Sequence, residues 1–104
     1  MTLDDLLTDE TAELPDVAVA SSTGGGRTWS RRGRTFAGVS ADGSVAEFAL
    51  DPAVAAAAIR TPDTAASTQG RGWVSFAPAA LDDHAADRAV AWFASAYRRA
   101  GPQD

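Results

Sequence analysis

A chain of 104 residues holds one modest core, burying roughly 60–70% of its unfolded surface, and a composition that is 45% hydrophobic and 22% charged excludes a disordered segment. The formal net charge of −5 is the wrong sign for a surface that grips nucleic acid all over, so any such binding has to be local. The absence of cysteine excludes disulfides, a thiol nucleophile and thiolate metal sites.

No apolar run reaches the roughly 18 residues of a membrane span, and Met1 to Leu7 is acidic rather than basic ahead of its leucines. The expectation is a single cytoplasmic domain over 1–104 with no membrane contact. Every basic residue is arginine and alanine is abundant, which reads as the codon bias of a GC-rich genome and carries no functional weight.

In chain order, Leu3, Leu6, Leu7, Ala12 and Leu14 recur at helical spacing behind Thr2, a capping residue with Asp5 three positions later, and Pro15 closes the segment. Val17 to Ser21 reads as a short strand and Ser21 to Gly26 as a glycine-rich loop. Thr28 to Arg31 and Arg34 to Ser40 form a predicted hairpin joined by Arg32 and Gly33, whose glycine tolerates positive φ. Asp42-Gly43 is a stronger turn, leading into Ser44 to Leu50. In that strand Ala46, Phe48 and Leu50 share one face and Val45, Glu47 and Ala49 the other, with Phe48 and Leu50 assigned to the core.

Asp51 and Pro52 start a second helix of about Pro52 to Arg60, the aspartate as cap and the proline where its missing N–H costs nothing. Thr61 to Arg71 reads as an irregular connection and Trp73 to Phe76 as the last strand. The final helix begins at Asp82 and Asp83, ends among Arg98 and Arg99, and stops at Gly101-Pro102. Its buried stripe is Leu81, Ala85, Ala89, Trp92, Phe93, Ala96 and Ala100, anchored by Trp92 and Phe93. The order α-β-β-β-β-α-β-α predicts an α+β two-layer sandwich: a mostly antiparallel sheet of about five strands, helices on one face, the other face open to solvent or a partner.

Leu14-Pro15-Asp16-Val17, the pair of strands holding Arg34, Thr35, Phe36 and Ala37, then Leu50-Asp51-Pro52, Gly72-Trp73-Val74 and a closing helix with Ser95 and Tyr97 together resemble the MmcQ/YjbR family. The resemblance spans nearly the whole chain and implies the double-split fold of CyaY and frataxin with a DNA-binding-like role. It departs from the family pattern in lacking lysine, in the polar segment between Arg60 and Trp73, and in the separation of Ser95 from Tyr97. The Gly-Trp-Val strand before a final helix is also similar to that of a small actinobacterial family labelled luciferase-like.

The strongest functional cluster is Arg27, Arg31, Arg32 and Arg34, interleaved with Trp29 and Phe36 and free of acids. Guanidinium forks pair with phosphates and aromatic rings stack on bases, so this hairpin is the candidate contact for nucleic acid or another anion. The competing account packs Trp29 and Phe36 inward and leaves the arginines to solubilise a turn. Trp73 and Arg71 are candidate pocket-edge residues, beside Gly72 and the irregular connection. Asp5, Asp9 and Glu13 align along the first helix, where frataxin-like proteins hold iron, but a solvated acidic face is the simpler account. His84, the only histidine, falls in the first turn of an amphipathic helix with no catalytic partner in sequence, and Gly24 to Thr28 lacks the lysine and following helix of a phosphate loop.

The expected function is therefore a small non-enzymatic binding domain of MmcQ/YjbR type, with DNA as the implied target of the arginine hairpin. A protein-interaction or small-ligand module using the open sheet face is the alternative, and weak iron binding by the first helix the second alternative. No catalytic residue, cofactor or resident metal is expected.

Overall fold

The computed structural model describes residues 2–21 and 24–101. Pro102, expected to help stop the last helix, and part of the Ser21 to Gly26 loop lie outside the described residues. Three helices and six strands follow in the order α1 (Leu3–Thr11), β1 (Val17–Ser21), β2 (Arg27–Arg31), β3 (Arg34–Val39), β4 (Ala46–Ala49), α2 (Pro52–Ala58), β5 (Thr64–Ala66), β6 (Trp73–Phe76) and α3 (Asp83–Arg99).

Each helix begins where a side chain satisfies free amides. Thr2 Oγ1 accepts from Asp5 N (3.2 Å) while Asp5 Oδ2 accepts from Thr2 N (3.1 Å), a reciprocal box at the head of α1. Asp51 Oδ1 accepts from Ala53 N (3.1 Å) ahead of Pro52, and Asp82 Oδ1 accepts from Ala85 N (2.8 Å). At the far end of α3 the stop is tertiary as well as local: Arg31 Nη1, from β2, donates to the Tyr97 carbonyl at 3.0 Å, placing a cation at the negative end of the helix.

The strands form one antiparallel sheet in the order β1-β2-β3-β4-β6-β5. Two turns set its registers. Arg32 (φ 52°) and Gly33 (φ 84°) both occupy the left-handed region, the type I′ geometry whose twist suits a two-residue hairpin. At the next corner Asp42 Oδ1 accepts from Ser40 Oγ (2.7 Å), Ser44 Oγ (2.7 Å) and Ser44 N (3.0 Å). Those bonds, Ser40's first and then Ser44's, hold the carboxyl at about 2, well below its ordinary 3.8. Gly43 (φ 75°) turns so close to α1 that a Cβ there would sit 2.9 Å from Thr2 Cβ, and its carbonyl accepts from Leu3 N at 3.2 Å.

The expected α+β sandwich with helices on one face is the observed architecture. The strand count is corrected from about five to six: Thr64–Ala66, inside the connection expected to be irregular, pairs with β6. Three small residues carry no alternation long enough to register as a strand, and only the exposed edge of β6 makes them one. One edge therefore ends in a three-residue strand and the other in β1.

Trp29, Phe36, Phe48, Phe76, Phe93, Leu3, Leu7, Leu50 and Val74 are fully buried between sheet and helices. Phe93 is the hub, edge-on to Trp29 (5.5 Å between centroids) and tilted against Phe36 (5.4 Å). Trp92, expected as an anchor beside it, is half-buried and packs over Phe48 and Phe76. Tyr97, outside the expected stripe, is buried: its ring lies against Phe36 and beneath the Arg31 guanidinium (4.0 Å), and its hydroxyl donates to the Pro15 carbonyl at 2.8 Å. No described helix is long and apolar enough to cross a membrane.

Candidate functional site

Alternation along β2 decides where the arginine hairpin points. Arg27, Trp29 and Arg31 occupy every second position and share the helical side of the sheet. Trp29 is 0% and Phe36 1% exposed, so neither ring is offered to a base. This corrects the expectation that Trp29 stacks on a partner. The reason is register: between Trp29 and Ser30 the pairing shifts, with Trp29 opposite Ala37 and Ser30 opposite Thr35, so Phe36 is an extra residue in β3. The bulge turns Phe36 into the core beside Phe93 and Tyr97, and Ala37 is buried as well.

The arginines are dispersed rather than gathered. Arg27 reaches α1, with Nε 3.2 Å from Asp4 Oδ1 and Nη1 donating to Thr8 Oγ1 at 3.3 Å. Arg31 closes α3 as described. Arg32 faces Asp16 at 3.5 Å across exposed surface, a pair that contributes little to stability. Arg34 is exposed and forms no ion pair among the described residues. The first helix fares similarly as a metal surface: Asp4 is paired with Arg27, Asp5 serves the cap, and no three potential ligands come together among the described residues. His84 is exposed on α3, on the helical side.

Among the described residues the opposite face of the sheet carries no helix, and it holds a groove of about 470 Å³. Its floor is the cross-strand row Thr28–Gly38–Glu47, drawn from β2, β3 and β4. Gly38 makes the hollow, because it is the one position of the row with no side chain. Its backbone is not left-handed, and a Cβ there would meet Arg27 O at 3.5 Å and Thr28 Cγ2 at 3.8 Å, both ordinary contacts. Local geometry therefore does not demand glycine at this position.

Trp73 and Gln69 wall one side of the groove. Trp73 sits opposite Ala49 in the β4–β6 pairing and on the same face as Glu47, whose own partner is Ser75. Gly72 fixes its approach: with φ 84° and a virtual Cβ only 2.5 Å from the Leu50 carbonyl oxygen, it lets the chain cross β4 so closely that Leu50 N donates to Gly72 O at 2.9 Å. The β5–β6 turn then brings Ser67 Oγ to Glu47 Oε2 and Gln69 Nε2 to Glu47 Oε1 (3.3 Å). Across the groove stand Gly24, Gly26, Ser40 and Ala41.

Trp73 also borders a second, more apolar hollow of about 370 Å³ beside α2, where Arg71 lies with Ile59 and Ala66. The two residues expected at a pocket edge therefore adjoin that hollow together, and Trp73 alone reaches the larger groove. Alternation along the chain puts Glu47 on the outward face, but it marks neither that residue nor Gly38 or Gln69 as part of a site. The available signal was the alternation of small polar Thr28 and Ser30 against Arg27, Trp29 and Arg31.

No family model, curated protein or solved structure matches this chain.

Proposed function

We propose that this domain is a non-enzymatic binding module whose ligand lies in the Gly38 groove on the open face of the sheet. The groove itself carries the reading. Its volume of about 470 Å³ falls within the roughly 300–1,000 Å³ typical of small-molecule sites. It mixes an indole ring with a few converging polar groups, on the one broad face that the helices leave bare. Its polar lining includes hydroxyls, the Gln69 amide, one carboxylate held by neutral donors and Arg27, whose guanidinium is held by Asp4 and Thr8, an arrangement suited to fixing a ligand's orientation. The only histidine lies on the other side of the sheet, so a histidine base is not available to these groups.

The small-ligand reading gains over the nucleic-acid reading from one observation: Trp29 is buried, and Arg27 and Arg31 are engaged by α1 and α3. A non-enzymatic binding role also agrees with what the resemblance to MmcQ/YjbR proteins implies.

The test is a fragment screen by amide NMR on the native chain and on Gly38→Val. Binders of the native chain are expected to shift Thr28, Gly38, Glu47 and the Trp73 indole N–H, and Gly38→Val should abolish binding while its spectrum stays folded. Binders that shift residues elsewhere, or bind Gly38→Val equally well, would refute the assignment.

A further inference from the structure

We infer that the groove selects a small organic cation, with its charged head against Glu47 and the Trp73 ring. The inference rests on the reading of the groove as the ligand site and adds the chemistry of the ligand. Its first support is the state of Glu47. This carboxylate stands in the middle of the sheet, half-buried, and both of its oxygens accept hydrogen bonds, from Ser67 Oγ and Gln69 Nε2. Both donors are neutral. They fix the direction of the carboxylate without cancelling its charge, and they occupy two of its roughly four lone-pair sites, leaving acceptor capacity toward the groove.

The second support is where the neighbouring cation goes. Arg27 lies at the groove's rim along the backbone, yet its guanidinium is carried through to the helical side and held by Asp4 and Thr8. No ion pair to Glu47 forms among the described residues. A carboxylate kept partly out of water without a counter-ion favours a ligand that supplies one, and the surrounding field has the same sign in a chain of net charge −5.

Trp73 is the third support. An indole face is the best aromatic partner for a cation, most strongly when water is excluded. The ring is half-buried beside Gly70, where a virtual Cβ lies 3.6 Å from Trp73 Cδ1, so the β5–β6 turn packs against it. Carboxylate, indole and glycine floor together fit a flat or compact positive head such as an alkylguanidinium, with the rest of the molecule lying along the side chains of Thr28, Thr35 and Ser40.

The experiment compares n-butylguanidinium with its neutral isostere n-butylurea, titrated by amide NMR into the native chain, Glu47→Gln, Trp73→Leu and Gly38→Val. The cation is expected to shift Glu47, Gln69 and the Trp73 indole N–H and to bind about tenfold more tightly than the urea. Glu47→Gln should erase most of that preference, with its spectrum otherwise native, and added salt should weaken the cation alone. Equal binding of the two probes, an unchanged preference in Glu47→Gln, or no groove shifts with the cation would overturn the cation inference. The groove reading fails on a different result: binding by either probe that Gly38→Val leaves intact.

Discussion

Replacing Trp29 by alanine separates a core residue from a surface contact. The ring is 0% exposed, edge-on to Phe93 at 5.5 Å, and lies on β2, between the edge strand β1 and β3. Removing it loses the transfer energy of a large aromatic and leaves a cavity, together about 3–5 kcal/mol. Against a total stability of roughly 5–15 kcal/mol for a domain of this size, that is a large fraction. The midpoint of thermal unfolding should fall by roughly 15–30 °C, at the several degrees per kcal/mol expected near 100 residues. Trp29→Phe should be much milder. Its indole N–H is buried without a hydrogen-bond partner among the described residues, so phenylalanine discards an unsatisfied donor and loses only part of the apolar area. Urea unfolding followed by far-ultraviolet circular dichroism measures both variants. A loss below about 1 kcal/mol for Trp29→Ala would contradict the burial and the bulged register that causes it.

Gly72→Ala should destabilise by about 2–4 kcal/mol, because it forces alanine to positive φ and drives a methyl into the Leu50 carbonyl at 2.5 Å; equilibrium denaturation tests this, and a neutral effect would refute the close crossing. Arg31→Met should cost roughly 1.5–3 kcal/mol through loss of the charge-assisted bond to the Tyr97 carbonyl and the stacking on its ring, with fraying at the end of α3 visible as faster amide exchange; unchanged exchange there would argue against the tertiary cap. Tyr97→Phe should cost about 1 kcal/mol, the value of one hydrogen bond to Pro15 O, and a cost near zero would mean that this bond adds nothing net. The folded pKa of Asp42 lies below its unfolded one, so its contribution is fully present above the ordinary 3.8 and is lost as pH falls toward about 2. Melting temperatures of the native chain and Asp42→Asn should therefore converge across that interval, and a gap that stays constant down to acid pH would rule out the Asp42 turn as its cause.

Much of the secondary structure is legible from short spans of chain. A cap acts within three residues, so Thr2 with Asp5, Asp51 with Pro52, and Asp82 mark the three helix starts without help from the fold. Period-two alternation places Phe48 inward and Glu47 outward on β4, because successive side chains of a strand point to opposite faces. The stripe of α3 is legible from its own spacing, but Tyr97 lies outside it: a phenol reads as amphipathic until Pro15 and Arg31 give its hydroxyl and its ring partners. The three-residue β5 is too short for any pattern and exists because β6 offers it an edge.

By itself, the sequence determined the α+β class, the helix starts, the turn at Asp42-Gly43 and the inward side of β4, all set by interactions between residues close along the chain. Only the tertiary structure decided which side of β2 faces the helices. That choice buried Trp29, sent Arg27 to α1 and Arg31 to α3, and divided what looks in one dimension like a basic cluster. It also assembled the groove, whose floor, wall and carboxylate come from positions 28, 38, 47, 69 and 73. Residues so far apart meet only through the register of the whole sheet, and register depends on a bulge at Phe36 and on the helices packed behind it.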